Sequence, residues 1–133
     1  MSTKAAIGLV NSDDTITGIY CGHDGYVEGL GKILLTNYND CNLIQELIAG
    51  GNIKHIRDSI QSTEYYIRDY SEPNNKSQTL SRLEDFERYY HKMAYYYLYS
   101  DNMWMARQGE DRILGYFNLA HSLELIQARN GLK

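Results

Sequence analysis

The sequence predicts an α+β fold: one domain in which a small antiparallel β-sheet carries helices packed on it. Two pairs of short β-type runs, each joined by turn residues, predict one hairpin early in the chain and another late. Elsewhere, apolar residues recur at helical spacing. A length of 133 residues fits a single domain, and 43% hydrophobic with 23% charged residues is ordinary for a globular chain.

Ala5–Val10 and Thr15–Cys21 flank the turn formers Asn11, Ser12, Asp13 and Asp14, which makes the first hairpin. A glycine-rich exit then opens a helix over about Glu28–Asn37, with Val27, Leu30, Leu34 and Tyr38 at helical spacing. Asp40 is placed to cap a second helix, in which Leu43, Ile44, Leu47 and Ile48 form an apolar stripe and Gly50-Gly51 ends it. Ile53, Ile56 and Ile60 continue as a short helical turn. The aromatic-rich run Glu64–Tyr70 reads as a strand, closed by a surface loop at residues 71–75 that holds the single proline, Pro73. A third helix is expected over about Gln78–His91, with Leu80, Leu83 and Phe86 inward. Tyr95, Tyr97 and Tyr99 then alternate on one strand face, residues 100–102 turn the chain, and the return strand Met103–Gln108 carries Trp104. Phe117, Ala120, Leu123 and Leu125 predict a C-terminal helix fraying near Gly131.

Charge and composition narrow the function classes. A net charge of −4 offers no general basic footprint, which argues against sequence-independent duplex binding, although seven of the thirteen cations are arginines, the better match for phosphate. No apolar run approaches the ~20 residues that span a bilayer, and the first four residues have no apolar signal core, so a cytosolic protein with Cys21 and Cys41 reduced is expected. His55, His91 and His121 have no partner at metal-ligand spacing, and neither a metal nor a cofactor is expected. His23-Asp24 is the one adjacent pair of acid–base type, but neighbours on a strand point to opposite faces, and catalysis is not expected. Thirteen tyrosines are the compositional outlier, read either as interface and base-stacking surface or as codon bias.

The segment Gly18–Gly31, GIYCGHDGYVEGLG, concentrates five glycines with His23, Asp24 and Glu28 where a strand runs into a helix. Unpaired N–H groups and the positive dipole end there suit an anion, while the same glycines equally serve close helix–sheet contact. This segment is similar to a GIYC-x-x-DGY-x-x-G-x-G signature of small phage proteins. The Lys32–Tyr38 helix, the Leu47–Ile53 turn and the Tyr66–Glu72 element YIRDYSE extend the likeness over about residues 5–107. The family that the chain resembles is the Thoeris anti-defence proteins of phages, which bind cyclic ADP-ribose isomers made by bacterial TIR-domain immune proteins and do not cleave them. The resemblance implies a messenger sponge in the cytoplasm of the infected cell, a homo-oligomer, with cyclic oligonucleotides as a second ligand class. Gly22-His23 stands where the signature has His-Trp or His-Phe, so the stacking role falls to a tyrosine such as Tyr20, Tyr26 or Tyr97.

Such a ligand needs cations for its pyrophosphate, a ring or guanidinium plane for its base, and polar groups for its hydroxyls. Arg57, Arg68 and Arg107 fall near predicted element ends, Tyr20, Tyr26, Tyr97 and Phe86 supply rings, and His23 and Asp24 lie in the signature. Arg82, Arg88 and Arg112 would serve as well, Arg68-Asp69 also reads as a strand-end charge pair, and the Tyr95/Tyr97/Tyr99 face also reads as core or subunit interface. The alternative function is a direct protein inhibitor of a host defence enzyme, acting through an exposed aromatic surface.

Overall fold

A computed structural model describes residues 3–109 and 115–131 of the chain. Its strands are β1 (Ala5–Val10), β2 (Ile16–Cys21), β3 (Ile53–His55), β4 (Glu64–Tyr65), β5 (Gln78–Leu80), β6 (Tyr95–Ser100), β7 (Met103–Gln108) and β8 (Phe117–Asn118). They form one sheet in the order β4-β3-β2-β1-β6-β7-β8, and β5 also pairs with β2. The expected α+β class holds, but the sheet is mixed. Of its seven pairings, β1–β6 and β2–β3 are parallel and the other five antiparallel.

Both hairpins form where turn chemistry favours them. Asp14 adopts φ 68° in the first, with the Thr15 hydroxyl donating to the Asp13 carboxylate at 2.6 Å; Asp101 and Asn102 adopt φ 52° and 61° in the second. The first helix begins with a wide π-wound turn at Val27–Gly31 and continues as α1 (Lys32–Asn37). Asp40 caps α2 (Cys41–Ala49) by accepting from the N–H groups of Asn42 and Leu43, and Gly51 at φ +88° ends it in the left-handed conformation that glycine tolerates.

Four expectations change. Ile53–His55 is a strand, because Ile53 pairs with Cys21 of β2 on one side and with Tyr65 on the other. Only Glu64–Tyr65 of the expected strand pairs; Tyr66–Tyr70 winds into α3, started by the Asp69 carboxylate accepting from Tyr65 N at 2.7 Å and ended by Ser71 at φ 55°. The expected third helix splits into β5, drawn onto β2, and α4 (Leu83–Tyr89). Leu83 is consequently exposed, while Phe86 remains inward. The C-terminal helix, α5, runs Leu119–Gly131 and does not include Phe117, which pairs with Ala106 of β7 as part of β8.

Alternation sorts the sheet into two faces. Ile7, Leu9, Ile19, Cys21, Tyr97 and Trp104 pack with α1, α2 and α5 in the larger core. Ala6, Ile16, Tyr96 and Leu98 meet Phe86 and Tyr90 of the α4 region on the other face. Buried tyrosines explain much of the compositional outlier. Their rings fill the core and their hydroxyls donate to backbone carbonyls: Tyr38 to Arg57, Tyr65 to Leu47, Tyr90 to Gly18, Tyr96 to Tyr90 and Tyr97 to Gly25, at 2.5–2.9 Å. Each bond satisfies a polar tip that burial would otherwise penalise while tying a loop or strand to the core. Burial pushes the Cys21 thiol up to about 11, so this cysteine is a core residue, whereas Cys41 is exposed.

The β4–α3 corner sets an acid limit. Hydrogen bonds from Arg68 and from Tyr65 N hold the Asp69 carboxyl below its ordinary 3.8, and the Tyr70 hydroxyl, with His55 and Arg57, holds Glu64 below its ordinary 4.5. A carboxyl depressed in the folded state contributes stability above its unfolded pKa and loses it as the pH falls through the folded value. Asp69→Asn is therefore expected to lower the melting temperature at neutral pH, with the gap to wild type closing as the pH drops below 3.8. A gap that stays constant into acid would sink this linkage.

Candidate functional site

A half-open groove of about 380 Å³ lies on the Phe86 side of the sheet, between the β2–β5 edge and the end of α4. Its volume falls within the roughly 300–1,000 Å³ usual for small-molecule sites. Tyr20, Tyr89, Tyr90 and His91 bring rings to it; Asn52, Asn74, Asn75 and Gln78 bring amides; Lys76 brings a charge. A second hollow of about 390 Å³ shares Asn74, Lys76 and Gln78 and extends the groove past Pro73.

The groove exists because β3 and β5 occupy opposite ends of the same edge of β2. Buried Asn52 fills the gap between them. Its side-chain oxygen accepts from Tyr20 N at 2.9 Å, its amide donates to Asn75 Oδ1 at 3.1 Å, and its own N–H donates to Asn75 O at 2.7 Å. One side chain thus substitutes for a missing strand partner and anchors the loop that forms the groove wall. The opposite wall is equally fixed, since Tyr90 donates to Gly18 O at 2.7 Å and meets the Tyr89 ring edge-on at 4.8 Å.

Of the residues expected from sequence, Tyr20 lines this groove. The others are distributed over the molecule. Tyr26 and Asp24 are exposed, Asp24 at φ 58°, and His23 stacks on His55 with ring centroids 4.4 Å apart. Arg57 pairs with Glu64 at 3.0 Å. Arg68 takes its charge-pair reading: it bonds Asp69 and donates to the carbonyls of Ile60, Gln61 and Thr63, strapping that loop. Arg107 is buried, 2.7 Å from Glu87, with four strands between its own strand and β4. Phe86 and Tyr97 are fully enclosed, Phe86 against Gly8 and Gly18 and Tyr97 with its hydroxyl on Gly25 O. Arg82 and Arg88 lie beside Glu84 and Asp85, and Arg112 lies outside the described residues.

The glycine-rich segment is packed rather than open. The N–H groups of Gly22, Gly25, Gly29, Leu30 and Gly31 already donate to backbone carbonyls, and Glu28 puts a negative charge in the first turn. Close contact is the dominant use of its glycines: a Cβ on Gly22 would stand 2.5 Å from the Tyr66 hydroxyl, and one on Gly18 2.5 Å from Phe86.

The groove residues that sequence reasoning missed sit at 52, 74–78 and 89–93, and their one local signal is the run of amides after Pro73. No protein-family model, curated protein or solved structure matches the chain. Among the described residues, no group of three or more His, Cys, Asp or Glu side chains is arranged to hold a metal ion, and no helix is long and apolar enough to cross a membrane. Chemically, rings beside amides suit a planar ligand with a polar edge and hydroxyls.

Proposed function

We propose that the protein is a nucleotide sponge: it binds a cyclic ADP-ribose isomer in the groove and holds it intact, in the cytoplasm of an infected bacterium, so that Thoeris effectors are not activated. The observation that carries this reading is the groove itself, which combines Tyr20, Tyr89 and His91 with four amides and Lys76 at a size that accepts a nucleotide. The likeness of Gly18–Gly31 to the anti-defence signature supplies the class of messenger. Sequestration without cleavage is favoured because the groove gathers amides and phenols rather than a nucleophile beside an oriented base. A sponge works by stoichiometry and a slow off-rate, so the open side of the groove needs a cover, which a second copy supplies in the proposed homo-oligomer.

The test is to incubate the protein with TIR-produced messenger, remove unbound material, denature by heat and analyse the released fraction by mass spectrometry. Intact cyclic ADP-ribose isomer is the expected result. New products in place of the messenger would make the protein an enzyme. An empty fraction with the messenger still free would overturn the sponge and favour direct inhibition of a defence protein, for which exposed Tyr26, Tyr70 and Tyr89 are the available aromatic surface.

A further inference from the structure

The two ends of the groove differ in chemistry. Tyr90 is immobilised by its hydrogen bond to Gly18 O, and its ring meets that of Tyr89, a residue that is 52% exposed. A half-exposed ring held by a fixed neighbour is a stacking plate for a base. Asn74 and Gln78, which the hollow past Pro73 shares with Lys76, each carry a donor and an acceptor, the combination that ribose hydroxyls require. The charge at the groove is much weaker than its polarity. Lys76 is the one lysine or arginine among the described lining residues, and the Glu72 carboxylate lies near enough to Tyr20 to add to the effect of burial in raising its hydroxyl pKa. One lysine does not neutralise the two charges of a pyrophosphate.

We propose that the groove recognises the nucleoside end of its ligand, with the base stacked on Tyr89 and the ribose hydroxyls on Asn74 and Gln78, which lead to the phosphates at Lys76 and the Pro73 end; this rests on the nucleotide-binding reading above. Affinity then comes mainly from stacking and neutral hydrogen bonds, and salt has little effect on it. A phosphate-driven site behaves in the opposite way, because each ion contact made to a phosphate steepens the salt dependence.

Calorimetric titration with adenosine, AMP and ribose 5-phosphate, at about 50 and 200 mM salt, separates the two. Adenosine and AMP are expected to bind within about tenfold of each other, with ribose 5-phosphate at least about tenfold weaker than AMP and no more than about fourfold loss across the salt range. Tyr89→Ala should weaken adenosine about tenfold or more, and Lys76→Ala should weaken AMP while leaving adenosine unchanged. Both side chains are at the surface of the groove, and unchanged melting temperatures confirm that the variants fold. Ribose 5-phosphate matching AMP, a steep salt dependence, or no binding of adenosine and AMP would each overturn the inference. Retention of a cyclic ADP-ribose isomer that both variants leave untouched would defeat the inference while the sponge stands. Nucleoside binding with this pattern but no retained messenger would defeat the sponge alone.

Discussion

Gly18→Ala is expected to destabilise the protein by about 1–3 kcal/mol, the usual cost of overpacking a filled core. The added Cβ would stand 2.5 Å from Phe86 Cε1 and 3.1 Å from the Ile7 carbonyl oxygen, so neither a ring rotation nor a small strand shift relieves both contacts. Gly8 is its cross-strand partner in the β1–β2 register, and a Cβ there would stand 3.0 Å from the same ring. The two glycines form a flat seat for Phe86, and that seat lets α4 approach the sheet. Removing the ring should cost more: Phe86→Ala is expected to lose about 3–5 kcal/mol through lost burial and the cavity left behind. The two changes are not independent. In the Phe86→Ala background only the Ile7 contact remains, so Gly18→Ala should cost less there, and chemical denaturation of the four proteins would show that coupling. Equal penalties in both backgrounds would refute the seat. Because Tyr90 donates to the carbonyl of Gly18 itself, Gly18→Ala should also disturb the groove wall and weaken any ligand bound there.

This seat also shows why part of the molecule was legible in the sequence and part was not. The two hairpins and α2 depend on local chemistry: turn residues that accept positive φ, an Asp cap, an apolar stripe and a terminating glycine pair. Such signals lie within a few residues of what they determine. Gln78–Leu80, by contrast, is a strand because β2 offers it an edge more than fifty residues earlier, and its own pattern resembles the helix that follows. Tyr66–Tyr70 becomes helical through the side chain of Asp69, which overrides the strand preference of its tyrosines. The parallel β1–β6 pairing leaves no trace in alternation, which reports the buried face and not the neighbour.

The candidate site failed to be legible for the same reason. Tyr20 was visible because it lies in the glycine signature, but Asn52, Lys76 and Tyr89 meet it through β2–β3 pairing, β2–β5 pairing and the packing of α4 respectively. The tyrosine excess was visible as a number, whereas its use was not. Tyr97 was read both as a ligand ring and as part of a core face, and it takes the core role as the pin that holds Gly25, set by a hydrogen bond across 72 positions of sequence.

Glu87→Ala is expected to cost about 3–5 kcal/mol, the penalty for stranding one member of a buried ion pair. The Glu87 carboxylate lies 2.7 Å from the Arg107 guanidinium, the two side chains are 7% and 5% exposed, and Tyr116 adds its hydroxyl to the same carboxylate at 2.9 Å. The guanidinium also lies over the Tyr96 ring at 4.9 Å and its Nε donates to Gly109 O at 3.2 Å, so a neutral carbonyl and aromatic rings face the charge once the carboxylate is gone. Desolvation decides the size of the effect. Arg57 makes a salt bridge of similar length with Glu64 at the surface, where water replaces a lost partner, and Arg57→Ala should change stability by no more than about 1 kcal/mol. Removing both buried charges together, as in Glu87→Leu with Arg107→Met, should recover most of the loss, because neither ion is then left unpaired. Thermal denaturation of the single and double variants distinguishes the cases, and a double variant as unstable as Glu87→Ala would show that the pair contributes more than its own desolvation. The contrast also assigns meaning to arginine substitutions in any binding assay. Arg107→Ala breaks the tie between α4 and β7 and would reduce ligand retention by unsettling the wall that carries Tyr89 and Tyr90, whereas Arg57→Ala leaves that wall intact. Ligand loss with Arg107→Ala therefore reports a direct contact only if the variant keeps the wild-type melting temperature, which the buried pair predicts it will not.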